Sequence, residues 1–196
     1  MAQSLAPLTL REVAAVLAAA GQGRRPSLDR WLVALVLDTG ARRGEISTVT
    51  PCPEDPARVV SVGAGPSERL VRLGAEASDA LASLSGPGRC AATDRALSMY
   101  GGTVPTDGGL HERILQVGLR AGVGGSLTVR RLRRTWLATV LHQDRYDDGI
   151  VATLADHHPE GIVRASVADA LAAQFDPDWT SPLDALVAAR QVRRAA

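Results

Sequence analysis

The sequence predicts a mainly α-helical protein with a small antiparallel β-sheet, an α+β chain forming a single domain over residues 1–196. Three observations carry that prediction. Apolar residues recur at helical spacing in most segments, which open on capping residues and close on Gly or Pro. Only Arg58-Val-Val-Ser-Val62 and Arg69-Leu-Val-Arg-Leu73 alternate at period two, and Gly63-Ala-Gly-Pro66 lies between them as a hairpin turn. The composition, 45% hydrophobic and 22% charged, suits one soluble core and excludes a disordered chain. Aromatic residues make up only 3%, so Ala, Leu and Val must fill that core.

In chain order, Thr9-Leu-Arg-Glu12 reads as a capping box that opens a helix with Val13, Val16 and Leu17 on its apolar face; Gly21-Gln-Gly23 ends it. A second, largely buried helix runs from about Leu28 to Asp38 and stops at Thr39-Gly40. A third begins near Arg42, carries Glu45 and Ile46, and is broken by Pro51-Cys-Pro53. The hairpin follows. Helical patterns then cover about 75–84, 107–121, 128–142, 147–155, 160–174 and 182–194, with Gly/Pro punctuation at 86–88, 101–109 and 122–125. There is no internal repeat and no linker long enough to divide the chain.

Several function classes fall away. Apolar runs such as Trp31 to Leu37 are far short of the ~20 residues of a membrane span. Met1-Ala-Gln-Ser-Leu5 has no basic n-region, so no secretory signal is expected. Cys52 and Cys90 lack metal-ligand spacing and fit a reduced cytoplasm; Cys52, between two prolines, is expected in an exposed loop and chemically inert. His157 and His158 are adjacent, so on a helix they point about 100° apart and make no metal pair. Neither a metal nor a cofactor is expected.

All 22 basic residues are arginine, which removes any chemistry that needs a lysine ammonium. The net charge of +1 hides a segregation: residues 113–134 carry six Arg and no acid, whereas 144–184 carry nine acids against Arg145 and Arg164. The basic stripe points to an anionic partner. On a helical wheel for 128–142, Val129, Leu132, Trp136 and Val140 form one apolar stripe. Arg130, Arg131 and Arg134 fall outside it, but Arg133 falls inside. A guanidinium there needs an anion, because burying it unpaired costs several kcal/mol. The wheel leaves two possibilities open, an ion pair with Asp38 or Glu45 and a site shaped for phosphate.

Four segments, in order, resemble one family. Thr39-Gly-Ala-Arg-Arg-Gly-Glu45 is similar to the TGxRxxE signature of the tyrosine recombinases, the family of phage integrases. Gly63-Ala-Gly-Pro-Ser-Glu-Arg-Leu-Val-Arg-Leu73 resembles its GKGNKERxVPL hairpin, Leu127-Thr-Val-Arg-Arg-Leu-Arg-Arg-Thr135 its LTPHxLRHT helix, and Val151-Ala-Thr-Leu-Ala-Asp-His157 its LGH segment. The resemblance covers roughly residues 6–180 and implies a tyrosine-recombinase catalytic-domain fold. It implies that Arg42, Arg130, Arg133 and His157 bind the DNA phosphate, with Arg131 and Arg134 flanking. Arg133 thereby becomes a phosphate clamp rather than an ion pair.

The departures are equally specific. Arg130 stands where the family has its first histidine, and cannot act as a base because arginine keeps its proton. The hairpin lysine, the family's general acid, is Ala64. The tyrosine nucleophile, nine residues beyond His157, is Ser166, and residues 158–168 contain no Tyr; Tyr100 and Tyr146 are elsewhere. A serine would need an activating base. The N-terminal core-binding domain of the family is also expected to be missing.

The resemblance therefore implies a DNA-binding, DNA-integration-type protein that has lost strand cleavage and acts as an accessory or regulator in recombination, with double-stranded DNA as partner. An active strand-transferase using Ser166, or a nucleophile supplied in trans, is the alternative; a protein-interaction module without DNA is the second. The C-terminal helix, 181–196, has an apolar stripe of Leu183, Leu186 and Val187. It either docks on a homo-oligomer or active recombinase partner, as in the family, or folds back on its own domain. No membrane contact is expected, and the location is cytoplasmic, at a bacterial nucleoid if DNA is bound.

Overall fold

The computed structural model describes residues 6–65, 68–85, 106–123, 127–142 and 178–195, with Gln174 and Asp176. Its elements are α1 (Leu10–Ala20), α2 (Pro26–Thr39), a 3-10 helix (Arg43–Thr48), β1 (Thr50–Pro51), β2 (Val59–Val62), β3 (Arg69–Arg72), α3 (Ala75–Ser85), α4 (Asp107–Ala121), α5 (Val129–Leu141) and α6 (Pro182–Ala195). This is the mostly helical architecture with a small antiparallel sheet that the sequence predicts. The helices expected at 147–155 and 160–174 lie outside the described residues, apart from Gln174.

The capping box of α1 forms as expected: the Glu12 amide donates to Thr9 Oγ1 at 3.1 Å, and the Thr9 amide donates to Glu12 Oε2 at 2.9 Å. That satisfies amide groups the first turn would otherwise leave unpaired. Leu10, Val13, Val16, Ala19 and Ala20 then face the core. Helix α2 is buried on every side from Trp31 onward, and Leu28, Trp31, Leu32, Val33, Leu35, Val36 and Leu37 are fully buried. Such a helix must be central, and α1, α3, α4, α5 and α6 all pack on it. Each of its large side chains contributes roughly 1.5–3 kcal/mol by leaving water.

Gly40 ends α2 in the left-handed region, at φ 63°. The third α-helix expected from Arg42 is instead a six-residue 3-10 helix. Glu45 turns its carboxylate back to accept from the Arg42 amide at 2.7 Å, and the Thr48 hydroxyl donates to the Glu45 carbonyl at 2.8 Å. These bonds satisfy the segment within one tight turn, and Pro51 allows no continuation.

The sheet has the order β1-β2-β3, all antiparallel. The β2–β3 hairpin is the expected one, with Val60 opposite Val71 and Val62 opposite Arg69. Strand β1 is not anticipated by the sequence, because Pro51 reads there as a breaker; the edge position tolerates it. The pairing continues at Cys52, whose amide donates to the Val59 carbonyl at 2.8 Å. Cys52, expected to be exposed, is therefore buried, and its thiol donates to Glu54. Gln174 closes the other edge, accepting from the Arg72 amide at 3.1 Å and donating to the Leu70 carbonyl at 2.9 Å.

Helix α6 folds back on its own chain. Leu183 and Leu186 are buried, and the helix packs on α1, α2 and α5. Asp38, near the end of α2, fastens it by accepting from the amides of Gly74 (2.8 Å) and Leu183 (3.3 Å) and from the Ser181 hydroxyl. Asp184 returns the favour to α3, accepting from the Ala75 amide at 2.8 Å. The approach is close enough that a Cβ on Gly74 would meet Ser181 and Asp184. Burial pushes the Asp38 carboxyl up to about 6, against those three hydrogen bonds and with a further push from the Asp184 charge.

Candidate phosphate-binding site

The C-terminal end of α2, the 3-10 helix, β3 and the first half of α5 meet at one place, and arginines come from each of the last three or their flanks. Arg42 is exposed at the mouth of the 3-10 helix. Arg133 reaches it from α5, half-buried, with Nε donating to the Gly40 carbonyl at 3.0 Å. That contact depends on glycine. Trp136, one turn along α5, packs so tightly against Gly40 that a Cβ there would lie 2.3 Å from the indole, and the positive φ independently disfavours a side chain. The Thr-Gly pair is thus the joint that presses α5 onto the end of α2; the Thr39 hydroxyl completes it by donating to the Leu35 carbonyl at 2.7 Å.

The two carboxylates that could neutralise Arg133 are both committed elsewhere. Asp38 is turned to the amides of Gly74 and Leu183. Glu45 accepts from both terminal nitrogens of Arg69, at 3.1 and 3.2 Å, and from the Arg42 backbone amide. Among the described residues no carboxylate forms an ion pair with the guanidinium of Arg42 or Arg133. Burial, then the like charge of Arg42, lowers the Arg133 pKa, with Arg69 adding to this and Glu45 opposing it. Arg133 nevertheless stays charged at neutral pH, as a guanidinium does in proteins. Glu45 is shifted the other way: burial pushes its carboxyl up, but the hydrogen bonds from Arg69 and the Arg42 amide and the charges of both arginines hold it below the usual carboxylate range.

The other predicted residues divide sharply. Arg130 is exposed on the first turn of α5, three residues before Arg133 and therefore on the same side of the helix. Arg134 is half-buried and already interacts. Arg131 requires a correction. The wheel sets it outside the apolar stripe as a flanking contact, but it is 4% exposed. Its Nε donates to the Ala6 carbonyl at 3.0 Å and its Nη2 meets Glu12 at 2.9 Å. The segment before α1 lies over that side of α5, where the Leu8 amide also donates to Thr135 Oγ1 at 2.8 Å. Ala64, at the position of the hairpin lysine, is exposed. His157 and Ser166 lie outside the described residues, as does the tyrosine at 146.

Arg69 is not among the residues that the resemblance assigns to the site, although the hairpin motif it matches carries an arginine at that position. The signal was present, since Arg69 shares the inner face of β3 with Val71 and is cross-strand from Val62, a charge on a core-facing row just like Arg133 on its helix.

Among the described residues, the arrangement offers a half-buried and an exposed guanidinium without carboxylate partners; Arg133 lies four residues into α5, whose first turn holds no acid. Backbone amides at a helix start favour an anion, while arginines there are disfavoured unless an anion joins them. Among the described residues no group of three His, Cys, Asp or Glu is placed to hold a metal, and no helix is long and apolar enough to cross a membrane.

No family model matches the chain, and no curated protein matches it in sequence. Among solved structures, it is similar to XerA recombinase, with a TM-score of 0.59 and 20% identity over 89% of this chain and 66% of that one. The chain thus spans just under two thirds of the recombinase's length. It has the fold of a tyrosine recombinase, mostly helical with a small three-stranded antiparallel sheet.

Proposed function

We propose that this protein binds double-stranded DNA through a phosphodiester site built on Arg42 and Arg133, with Arg130 and His157 completing it, and that it does not cleave the strand. The observation that carries the reading is that, among the described residues, no carboxylate forms an ion pair with the guanidinium of Arg42 or Arg133, Glu45 being forked to Arg69 and Asp38 turned to backbone amides. Arg131, tied to Glu12, drops out of the DNA-contacting set and serves to seat α5; Arg134 stays on its flank. The chemistry that remains is binding. Ala64 has no proton to give a leaving oxygen, Arg130 cannot take one, and Ser166 stands where a tyrosine would attack. Losing a general acid alone costs about 10²–10⁴-fold in rate.

As a single domain in the cytoplasm, the protein would occupy or regulate a recombination site as an accessory factor. Association with a second copy or an active recombinase through α6 would require that helix to leave its present seat.

The test is a fluorescence-anisotropy titration on duplex DNA at two salt concentrations, for the wild type and Arg42→Ala/Arg133→Ala, with a suicide-substrate gel on the same samples. Salt-sensitive binding that the double variant loses, without a covalent adduct, is the expected result. Binding that the variant retains would remove the phosphate site. An adduct abolished by Ser166→Ala would assign strand transfer to Ser166.

A further inference from the structure

A tyrosine-recombinase hairpin would place its cation in the turn, where this chain has Ala64. Five residues later, Arg69 supplies a charge from the strand. It leaves β3 on the face shared with Val71 and reaches Glu45 with both terminal nitrogens, at 3.1 and 3.2 Å. Glu45 is nearly covered, with its side chain 11% exposed, whereas that of Arg69 is 26% exposed, so the arginine is the partner that looks outward. The fork uses two of the five N–H donors of a guanidinium, which leaves three for another anion. Among the described residues, three guanidiniums, those of Arg42, Arg69 and Arg133, interact here with a single carboxylate, that of Glu45. The same carboxylate also accepts from the Arg42 amide at 2.7 Å, so one acid fixes two arginine-bearing segments.

We propose that Arg69 is a phosphate-binding residue of this site, and that Glu45 is the positioning residue that holds Arg69 and the Arg42 backbone ready for a DNA phosphodiester. The inference rests on the phosphate-site reading above and extends it to a third cation and its counter-ion. It also gives the hairpin a defined chemical role. Arginine grips a phosphate in two directions but keeps its proton, so it replaces the attraction of a lysine without replacing the acid.

The experiment is a titration of labelled duplex DNA across a salt series, with a thermal melt of every variant. The decisive variant is Arg69→Gln/Glu45→Gln, which removes the pair without leaving a buried charge unpaired and keeps the net charge. Loss of a phosphate contact should make its slope of log affinity against log salt shallower by about 0.9. Glu45→Gln should weaken binding despite adding net positive charge, which a role in charge balance alone would not do. An unchanged slope in the double variant, or tighter binding by Glu45→Gln, would overturn the inference. If Arg42→Ala/Arg133→Ala still loses binding in that case, the phosphate site survives and only the part given to Arg69 and Glu45 falls. If that variant binds like the wild type, the site itself falls.

Discussion

The two ends of α2 both carry arginines near a buried aspartate, and they resolve that situation in opposite ways. At the N-terminal end, Asp29 is met by Arg113 at 2.6 Å and Arg120 at 2.9 Å, both from α4. The cluster is so tight that a Cβ on Gly23 would lie 2.2 Å from the aspartate. At the C-terminal end, Asp38 turns its oxygens to backbone amides, Glu45 takes Arg69, and Arg42 and Arg133 are left over. One cluster is closed and structural; in the other, among the described residues, two guanidiniums have no carboxylate partner. Six arginines between residues 113 and 134 therefore do not amount to six DNA contacts. Arg113, Arg120 and Arg131 are held in ion pairs, so half of the basic stripe is structural.

The largest effect should come from breaking the closed end. Arg113→Ala/Arg120→Ala strands a buried carboxylate and should cost about 3–5 kcal/mol, read by denaturant unfolding. At the open end, Gly40→Ala forces a side chain into the left-handed region and against Trp136; a loss of about 2–4 kcal/mol is expected, with weakened DNA binding as Arg133 is displaced.

Asp38 tests whether the latch on α6 is truly separate from the open site. Its folded pKa, about 6, lies above the ordinary aspartate value of 3.8. Its contribution to stability is thus fully present below about 4 and is lost as pH rises through 6, a change of roughly 3 kcal/mol by linkage. Asp38→Asn should flatten the stability profile between pH 4 and 6 relative to the wild type, while leaving the salt dependence of DNA binding unchanged. The smallest effect is expected for Arg131→Met. It breaks the ion pair with partly exposed Glu12 and the hydrogen bond to the Ala6 carbonyl, and should cost about 1–2 kcal/mol, with no change in the salt slope of binding.

How far the sequence discloses these differences depends on the range of the interaction. The capping box Thr9–Glu12, the largely buried α2, the Gly40 stop and the alternating hairpin are local patterns, and each has its structural counterpart. Arg133 on the apolar stripe was equally legible, because the wheel needs only its own helix. Arg131 was not, since its partners Ala6 and Glu12 are more than a hundred residues away and nothing local reports that the N-terminal segment covers that flank. The 3-10 helix and β1 were misread for a related reason: Glu45 folding back on Arg42, and Pro51 lying on an edge strand, decide conformations that propensity leaves open. Arg69 is legible in the same way as Arg133, as a charge on the core-facing row of its own element.

The contrast between the two ends is tested most directly by measuring both properties on both pairs. Arg42→Ala/Arg133→Ala and Arg113→Ala/Arg120→Ala would each be taken through thermal unfolding and through duplex-DNA titration over a salt series, at temperatures where both are folded. The open pair should lose affinity and about two phosphates' worth of salt slope while keeping most of its stability. The closed pair should lose stability and keep the slope. If removing the open pair leaves DNA affinity and slope intact, or if the closed pair carries the slope instead, the division of these arginines into binding and structural groups is wrong.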